Sequence, residues 1–375
     1  IGPAILEVRG SGTLDVMTKL ASPSGLVSNT NCVRSEAVHN IEPFNSETLT
    51  YIRFINIGDQ EIPEIRGTMH DSEGSIIGEE NMRFLQNLKP KQAIWLSSTR
   101  IRAIVGSAWG SMASLTLTNP SPDLKLLNLN LVNGSTFFNF SCFENQEEGN
   151  VYLFTNSESN NVTEAHLINT SNAQTDFFGS LYNSDGLKLG QSDTRLTNTP
   201  VASKGRLIIT AALLEKSFNT LPWVGPALLE ISGAGQVELL TRLKSPSGLI
   251  SNTNCVRKRF IHNIEGFNSS TLTYIRLINK SNTEIKNVVG TLYDKDGTVL
   301  GKRESLLREE LRPKEQVWIS NRQLERMFEV SWFDEASLEV TADEDANLRL
   351  LNLNFENNET FFNFSCFESS IDKTK

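Results

Sequence analysis

"SPSGLVSNTNCVR" (22–34) returns as "SPSGLISNTNCVR" (245–257) with a single Val-to-Ile change. Thirteen residues do not recur with that fidelity by chance, and sliding the chain on itself by 223 residues aligns much more of it. "HNIEPFNSETLTYIRFIN" (39–56) faces "HNIEGFNSSTLTYIRLIN" (262–279), and "KPKQAIWLS" (89–97) faces "RPKEQVWIS" (312–320). After a one-residue slip, "LKLLNLNLVNGSTFFNFSCFE" (124–144) faces "LRLLNLNFENNETFFNFSCFE" (348–368). A repeat of this kind means that one structural plan is built more than once.

A weaker period of about 110 residues lies inside the larger one. "EAHLINTSNAQTDFFGSLYNSDGLKLG" (164–190) follows the plan of "TYIRLINKSNTEIKNVVGTLYDKDGTVLG" (273–301): an aliphatic run ending in Ile-Asn, a Gly before a second run, a polar turn closed by Gly, and a final Gly. Two kinds of unit therefore alternate. Type A ends in "SGLxSNTNCVR" and type B in "FFNFSCFE". The expected divisions are 1–33, the closing part of an incomplete type A unit; 34–145, type B; 146–257, type A; and 258–375, type B.

Within each unit the local signals are those of strands. "LTYIRFI", "IRGTMHD", "AIWLS", "ASLTLT" and "LKLLNLNLV" are short alternating or β-branched runs separated by turns. The turns "DSEG" (71–74), "NSDG" (183–186) and "DKDG" (294–297) put Gly where a tight hairpin needs positive φ, after a residue whose side chain can bond its own backbone. One short helix per unit is expected at "SSTRIRAIV" (97–105), "TAALLEKSF" (210–218) and "SNRQLERMF" (320–328), each opening on a capping Ser or Thr. The fold predicted is all-β: tandem antiparallel β-sandwich domains of about 110 residues, in an A/B alternation duplicated at 223 residues. Trp109, Trp223 and Trp332 recur just ahead of the "ASLTL", "ALLEI" and "ASLEV" strands, and are expected to fill the space between sheets.

Composition narrows the function classes. The chain has 375 residues, 38% of them hydrophobic, which is enough apolar material for several cores and argues against disorder. A net charge of -9 and a pI near 5.2 leave no basic footprint for nucleic acid. No apolar run approaches the roughly 18 residues of a membrane span, and "IGPAILEVRG" does not read as a signal peptide, so any targeting segment is expected to have been removed or not included.

The four cysteines, Cys32, Cys142, Cys255 and Cys366, each close the last strand of a unit. Separations of 110, 113 and 111 residues exclude close-set zinc or redox patterns and favour structural disulfides in an oxidising compartment. Pairing Cys32 with Cys142 and Cys255 with Cys366 clasps each type B unit, and is preferred; pairing Cys142 with Cys255 clasps type A and frees the outer two. Glycosylation sequons stand at Asn133, Asn139, Asn161, Asn169, Asn268, Asn279, Asn358 and Asn363, a number near chance for this composition. The acidic turns are too short a ladder of oxygens for an EF-hand-type calcium loop and read as hairpins. His39 and His262 are one repeated position, and no nucleophile elbow, HExxH or phosphate loop is present. No catalytic, metal-binding or cofactor site is expected.

The plan resembles the tandem β-sandwich repeats of secreted and cell-surface bacterial proteins, in which immunoglobulin-like or fibronectin-like modules are strung into stalks and surface layers. The motifs "TLYDKDGTVLG" (291–301) and "LRLLNLNFENN" (348–358) carry that likeness at the level of architecture. It implies a non-enzymatic structural protein of an extracellular filament, sheath or surface layer, with an adhesin or carbohydrate-binding stalk as the alternative. The expected partners are copies of itself or adjacent repeats, with strand complementation at 1–33, because that segment is only the last third of a unit and invites pairing along its apolar edge. The rest of the unit is expected upstream in the same polypeptide, or in a neighbouring chain.

Overall fold

A computed structural model describes residues 5–8, 15–23, 27–30, 32–43, 48–132, 134–141, 144–248, 250–253, 255–267, 271–343, 347–356, 360–365 and 368–369. The fold is all-β, with several four-stranded antiparallel sheets and three short helices among the described residues. Among the described residues no helix is long and apolar enough to cross a membrane.

The first type B unit packs two sheets. One runs in the order Thr136–Asn139, Leu124–Val132, Thr48–Asn56, Ala93–Ser97; the other runs Ala37–Ile41, Ala113–Leu117, Ile62–His70, Ile76–Leu88. Alternation along the strands sends Ile52, Phe54, Met69, Leu96 and Leu115 into the space between them. The last unit repeats this order, with Thr360–Asn363, Leu348–Glu356, Leu272–Asn279 and Gln316–Ser320 against Phe260–Ile264, Ala336–Thr341, Ile285–Tyr293 and Val299–Leu311.

The type A unit departs from this plan in one strand. Ala227–Lys244 is a single run of 18 residues that pairs with Glu144–Phe154 through both halves, with Phe177–Tyr182 through its first half, and with Val162–Asn169 and Ile250–Asn252 through its second. In the type B units the same course is broken into two strands, at 118–123 and 342–347. Residues 118–123 hold Pro120 and Pro122, which cannot donate to a ladder, whereas 233–235 read Gly-Ala-Gly and let an extended chain pass from one sheet to the other. The expected division at 145/146 falls inside Glu144–Phe154.

The helices lie where the caps place them, at Ser98–Val105, Ala211–Phe218 and Asn321–Phe328. Ser97, Thr210 and Ser320 each accept an early amide at 3.3 Å, and each helix buries an apolar pair such as Leu324 and Phe328. Trp109, Trp223 and Trp332 are buried, and each indole donates to a carbonyl of the facing strand: Ile41 at 3.2 Å, Phe154 at 3.3 Å and Ile264 at 3.0 Å. The ring fills the gap between sheets and its polar edge is satisfied.

The Asn that ends each "IN" run is a buried bracket. Asn56 Nδ2 faces the carbonyls of Gln60, Leu88 and Lys89; Asn169 those of Ala173, Val201 and Ala202; Asn279 those of Thr283, Leu311 and Arg312, all between 2.7 and 3.2 Å. One side chain thus ties a strand end to two loops.

Candidate functional site

The geometry that recurs and joins unlike parts of the chain lies at the seams between units. Each unit carries a hairpin turn at one end and a lysine-centred loop at the other. In the turns, the Oδ1 of Asp71, Asn183 or Asp294 accepts two following amides at 2.8–3.0 Å, so the acidic residues serve the backbone of the turn. In the loops, Lys91, Lys204 and Lys314 have φ of 56°, 61° and 60°, and each ammonium donates to a carbonyl of the strand-end turn: Ile57, Thr170 or Lys280.

Turn and loop fit together twice. The Ser72 carbonyl in the first turn accepts the Arg206 amide at 2.8 Å, just after the Lys204 loop. The Ser184 carbonyl in the second accepts the Gln316 amide at 2.9 Å, just after the Lys314 loop, with Asp185 bridging to Glu315. Approach is so close that a Cβ on Gly74 would collide with the Ser203 carbonyl, and one on Gly186 with the Pro313 carbonyl. A Cβ on Gly297, the same position in the third turn, would meet no atom of the described residues within 4 Å beyond its chain neighbours.

Side chains fix these joints differently. Between the middle and last units, Arg276 is wholly buried: it donates to the Tyr152 carbonyl at 2.5 Å and the Pro226 carbonyl at 3.1 Å, and lies over the Trp318 ring at 4.9 Å. Burial lowers its pKa to about 9, so it remains charged at neutral pH. Lys314 also reaches Glu230 at 2.6 Å. Tyr182 is pushed up to about 12 by burial and then by Glu230.

Between the first and middle units the Glu238 carboxylate takes the Arg34 guanidinium and, at 2.6 Å, the His39 Nε2, while the other ring nitrogen lies 2.8 Å from Ser114 Oγ. Burial holds His39 below its ordinary value against the pull of Glu238, so the ring is neutral and the contact is a hydrogen bond donated to the carboxylate. Arg206 crosses the same seam to Asn40 Oδ1. The set repeats at the other end: Asp15 takes Arg257 at 2.5 Å and lies 3.6 Å from His262, whose Nδ1 is 2.8 Å from Ser337 Oγ. Ser, His and carboxylate line up here, and Ser114, His39 and Glu238 are all buried within the seam.

A cleft of about 640 Å³ opens beside Arg276's seam. Its wall is Tyr274, Trp318, Leu353 and Phe361, with Asn156 and Glu158 on its rim.

The sequence-predicted residues are placed as follows. Cys142, Cys366, Asn133, Asn268 and Asn358 lie outside the described residues. Asn139, Asn169, Asn279 and Asn363 are buried, and their Nδ2 atoms are already donors to backbone carbonyls: Asn139 to Cys32 at 3.1 Å, Asn363 to Cys255 at 3.0 Å, and the other two as above. The Ser two places on supplies the amide that the Asn Oδ1 accepts, at 2.9–3.1 Å, so these four sequons are Asx turns of the repeat. Asn161 is half-buried on the rim of the cleft. Sequence reading missed the seams, although an Arg inside the apolar run "LTYIRLIN" was a signal of a buried charge.

Neither a protein-family model nor a curated protein matches the chain. Among solved structures it is similar to one described as "The Triple Jelly Roll Fold and Turret Assembly in an Archaeal Virus", at 9% identity over 92% of this chain and 87% of that one. The TM-score of 0.14 carries no argument about fold or function.

Proposed function

We propose that the chain is a non-enzymatic structural repeat protein of an extracellular filament, sheath or surface layer, with copies of itself or adjacent repeats as its partners. One observation carries the reading: the same turn-into-loop joint is made twice in succession between unlike units. A joint made by backbone groups and repeated from unit to unit needs no particular side chain, so it suits a linear array of like units in contact with their neighbours. Disulfides suit such a material. Cys32 and Cys255 are disulfide-bonded, and the Asn139 and Asn363 amides hold their carbonyls three residues ahead of Cys142 and Cys366, which favours the type B clasps, Cys32–Cys142 and Cys255–Cys366. A non-reducing peptide map distinguishes these from a Cys142–Cys255 clasp. For assembly, electron microscopy of the purified chain over a concentration series is the test: regular filaments or sheets are expected, and a dispersed monomer throughout overturns the reading.

The cleft favours a second reading, an adhesin or carbohydrate-binding stalk, because Trp318 and Tyr274 offer ring faces beside a polar rim. Saturable change of tryptophan emission on titration with oligosaccharides would support it.

A further inference from the structure

The chain has four histidines, and three of them face the seam between the first and middle units. His39 reaches Glu238 across it at 2.6 Å. His166 is wholly buried; two places on from it Ile168, and opposite it Leu240, pack on Phe138 and Phe140 of the first unit. His70 ends the strand ahead of the 71–74 turn and feels the charge of Lys204, whose loop receives that turn. The fourth, His262, lies toward Asp15.

At the seam between the middle and last units the repeat puts other residues in the same places. The strands bonded to the tryptophans set Tyr152 against His39, the hairpin turns set Tyr182 against His70, and the asparagine brackets set Arg276 against His166. All three face that seam. Tyr152 packs with Ile278 and Leu351, Tyr182 lies 5.8 Å from the Lys314 ammonium, and Arg276 donates to two carbonyls of the middle unit. Tyrosine and arginine keep one charge state through the range in which histidine changes. The two seams thus share a plan and differ in whether it titrates near neutrality.

Charging the histidines is resisted while the first seam is closed. His166 would add a cation to the field of Arg206 and Arg242; its Nε2 is 3.4 Å from Glu164, and its Nδ1 is buried with no hydrogen-bonding partner among the described residues. Glu42 faces the same two guanidiniums from the first unit. His70 Nδ1 is buried in the same way, with Lys204 across the seam and Asp71 and Glu80 on its own unit. His39 has Glu238, Arg34 and Arg206 around it and Ser114 on its other nitrogen. Burial is the largest cause in each case and holds all three below the ordinary histidine value, so an open seam takes up protons that a closed one refuses. Closure is fully favoured above pH 6.5 and loses ground as pH falls toward the folded values. Glu42, raised by burial, has the opposite sign.

We infer that the seam between the first and middle units is an acid-released joint: protonation of His39, His70 and His166 parts those two units while the middle and last units stay together. The device belongs to the single chain, whatever that chain assembles into.

Hydrogen exchange of the whole chain reads both joints at once, through the Arg206 amide bonded to Ser72 and the Gln316 amide bonded to Ser184. Protection is measured from pH 7.5 to 5 and corrected for the intrinsic pH dependence of exchange. A group that titrates at about 4 in the closed seam and at 6.5 in the open one favours opening about 30-fold across that range. Arg206 protection should fall by about that factor, while Gln316 protection changes less than about threefold. His166→Gln should shrink the fall at Arg206. Tyr182→His, at a partly exposed position, should give the Gln316 amide a fall that the parent chain lacks. Constant protection at Arg206 overturns the inference, and so does an equal loss at both amides, which would mean unfolding of the whole chain. A Tyr182→His chain that folds and keeps Gln316 independent of pH overturns the role given to the histidine positions, and it decides the matter even where His166→Gln fails to fold.

Discussion

Glu238 Oε2 lies 2.6 Å from His39 Nε2 across the seam between the first and middle units, with both side chains buried. Burial works to raise Glu238, but the hydrogen bond from His39 and the charge of Arg34 outweigh it and hold the carboxyl below its ordinary value. His39 is held low by burial, and His166 is lowered to about 4 by the same cause. All three bind protons more weakly folded than unfolded. Their contribution is therefore complete above pH 6.5, the ordinary histidine value, and is lost as pH falls toward the folded values. His166 alone accounts for about 3 kcal/mol between pH 6.5 and 4. Urea midpoints should fall steadily over that window, and His166→Gln should flatten the fall. A profile flat from pH 7.5 to 4.5 would contradict the assignment.

Local chemistry made much of this fold legible. The caps Ser97, Thr210 and Ser320, the three glycine-closed turns and the three tryptophans act on neighbours in sequence or on one facing strand, so pattern alone located them. The seams were not legible, because their joints are bonds such as Arg206 N to Ser72 O, which need no particular side chain. The continuous strand Ala227–Lys244 was hidden for a related reason: Gly-Ala-Gly reads as a turn, and only pairing on both sheets makes it a crossing.

Arg276→Ala should cost about 3–5 kcal/mol in chemical unfolding, since the Tyr152 and Pro226 carbonyls lose a buried charged donor. Arg276→Lys should recover little of it, because one ammonium cannot span both carbonyls as the guanidinium fork does. Arg53, its repeat in the first unit, lies over Trp95 at 5.4 Å on the face that lacks the middle unit's residues. Arg53→Ala should cost less than half as much.

Asn279→Ala should cost about 2–4 kcal/mol, as the Thr283, Leu311 and Arg312 carbonyls lose their donor. Ser281→Ala removes the sequon but keeps the bracket, and should cost less than about 1 kcal/mol. If the chain is secreted through a glycosylating pathway, peptides with Asn139, Asn169, Asn279 and Asn363 should appear unmodified by mass spectrometry. Quantitative glycan at Asn279 on a folded chain would contradict the buried bracket.

The three turn glycines separate backbone strain from contact across a seam. Gly74, Gly186 and Gly297 have φ of 84°, 77° and 79°, so alanine costs each of them about 1 kcal/mol of left-handed strain. On Gly297 the new methyl would meet none of the described residues, and Gly297→Ala should cost only that. At Gly186 the new methyl meets the Pro313 carbonyl, which is fixed because the same loop gives the Gln316 amide to Ser184. The turn must back out, and the Ser184 bond and the Asp185–Glu315 bridge go with it. Gly186→Ala should therefore cost about 2 kcal/mol more than Gly297→Ala, and Gly74→Ala should resemble it. Hydrogen exchange locates the loss: the Gln316 amide should lose protection in Gly186→Ala and the Arg206 amide in Gly74→Ala, while Gly297→Ala leaves both unchanged. Equal costs at all three positions would mean that the joints hold nothing.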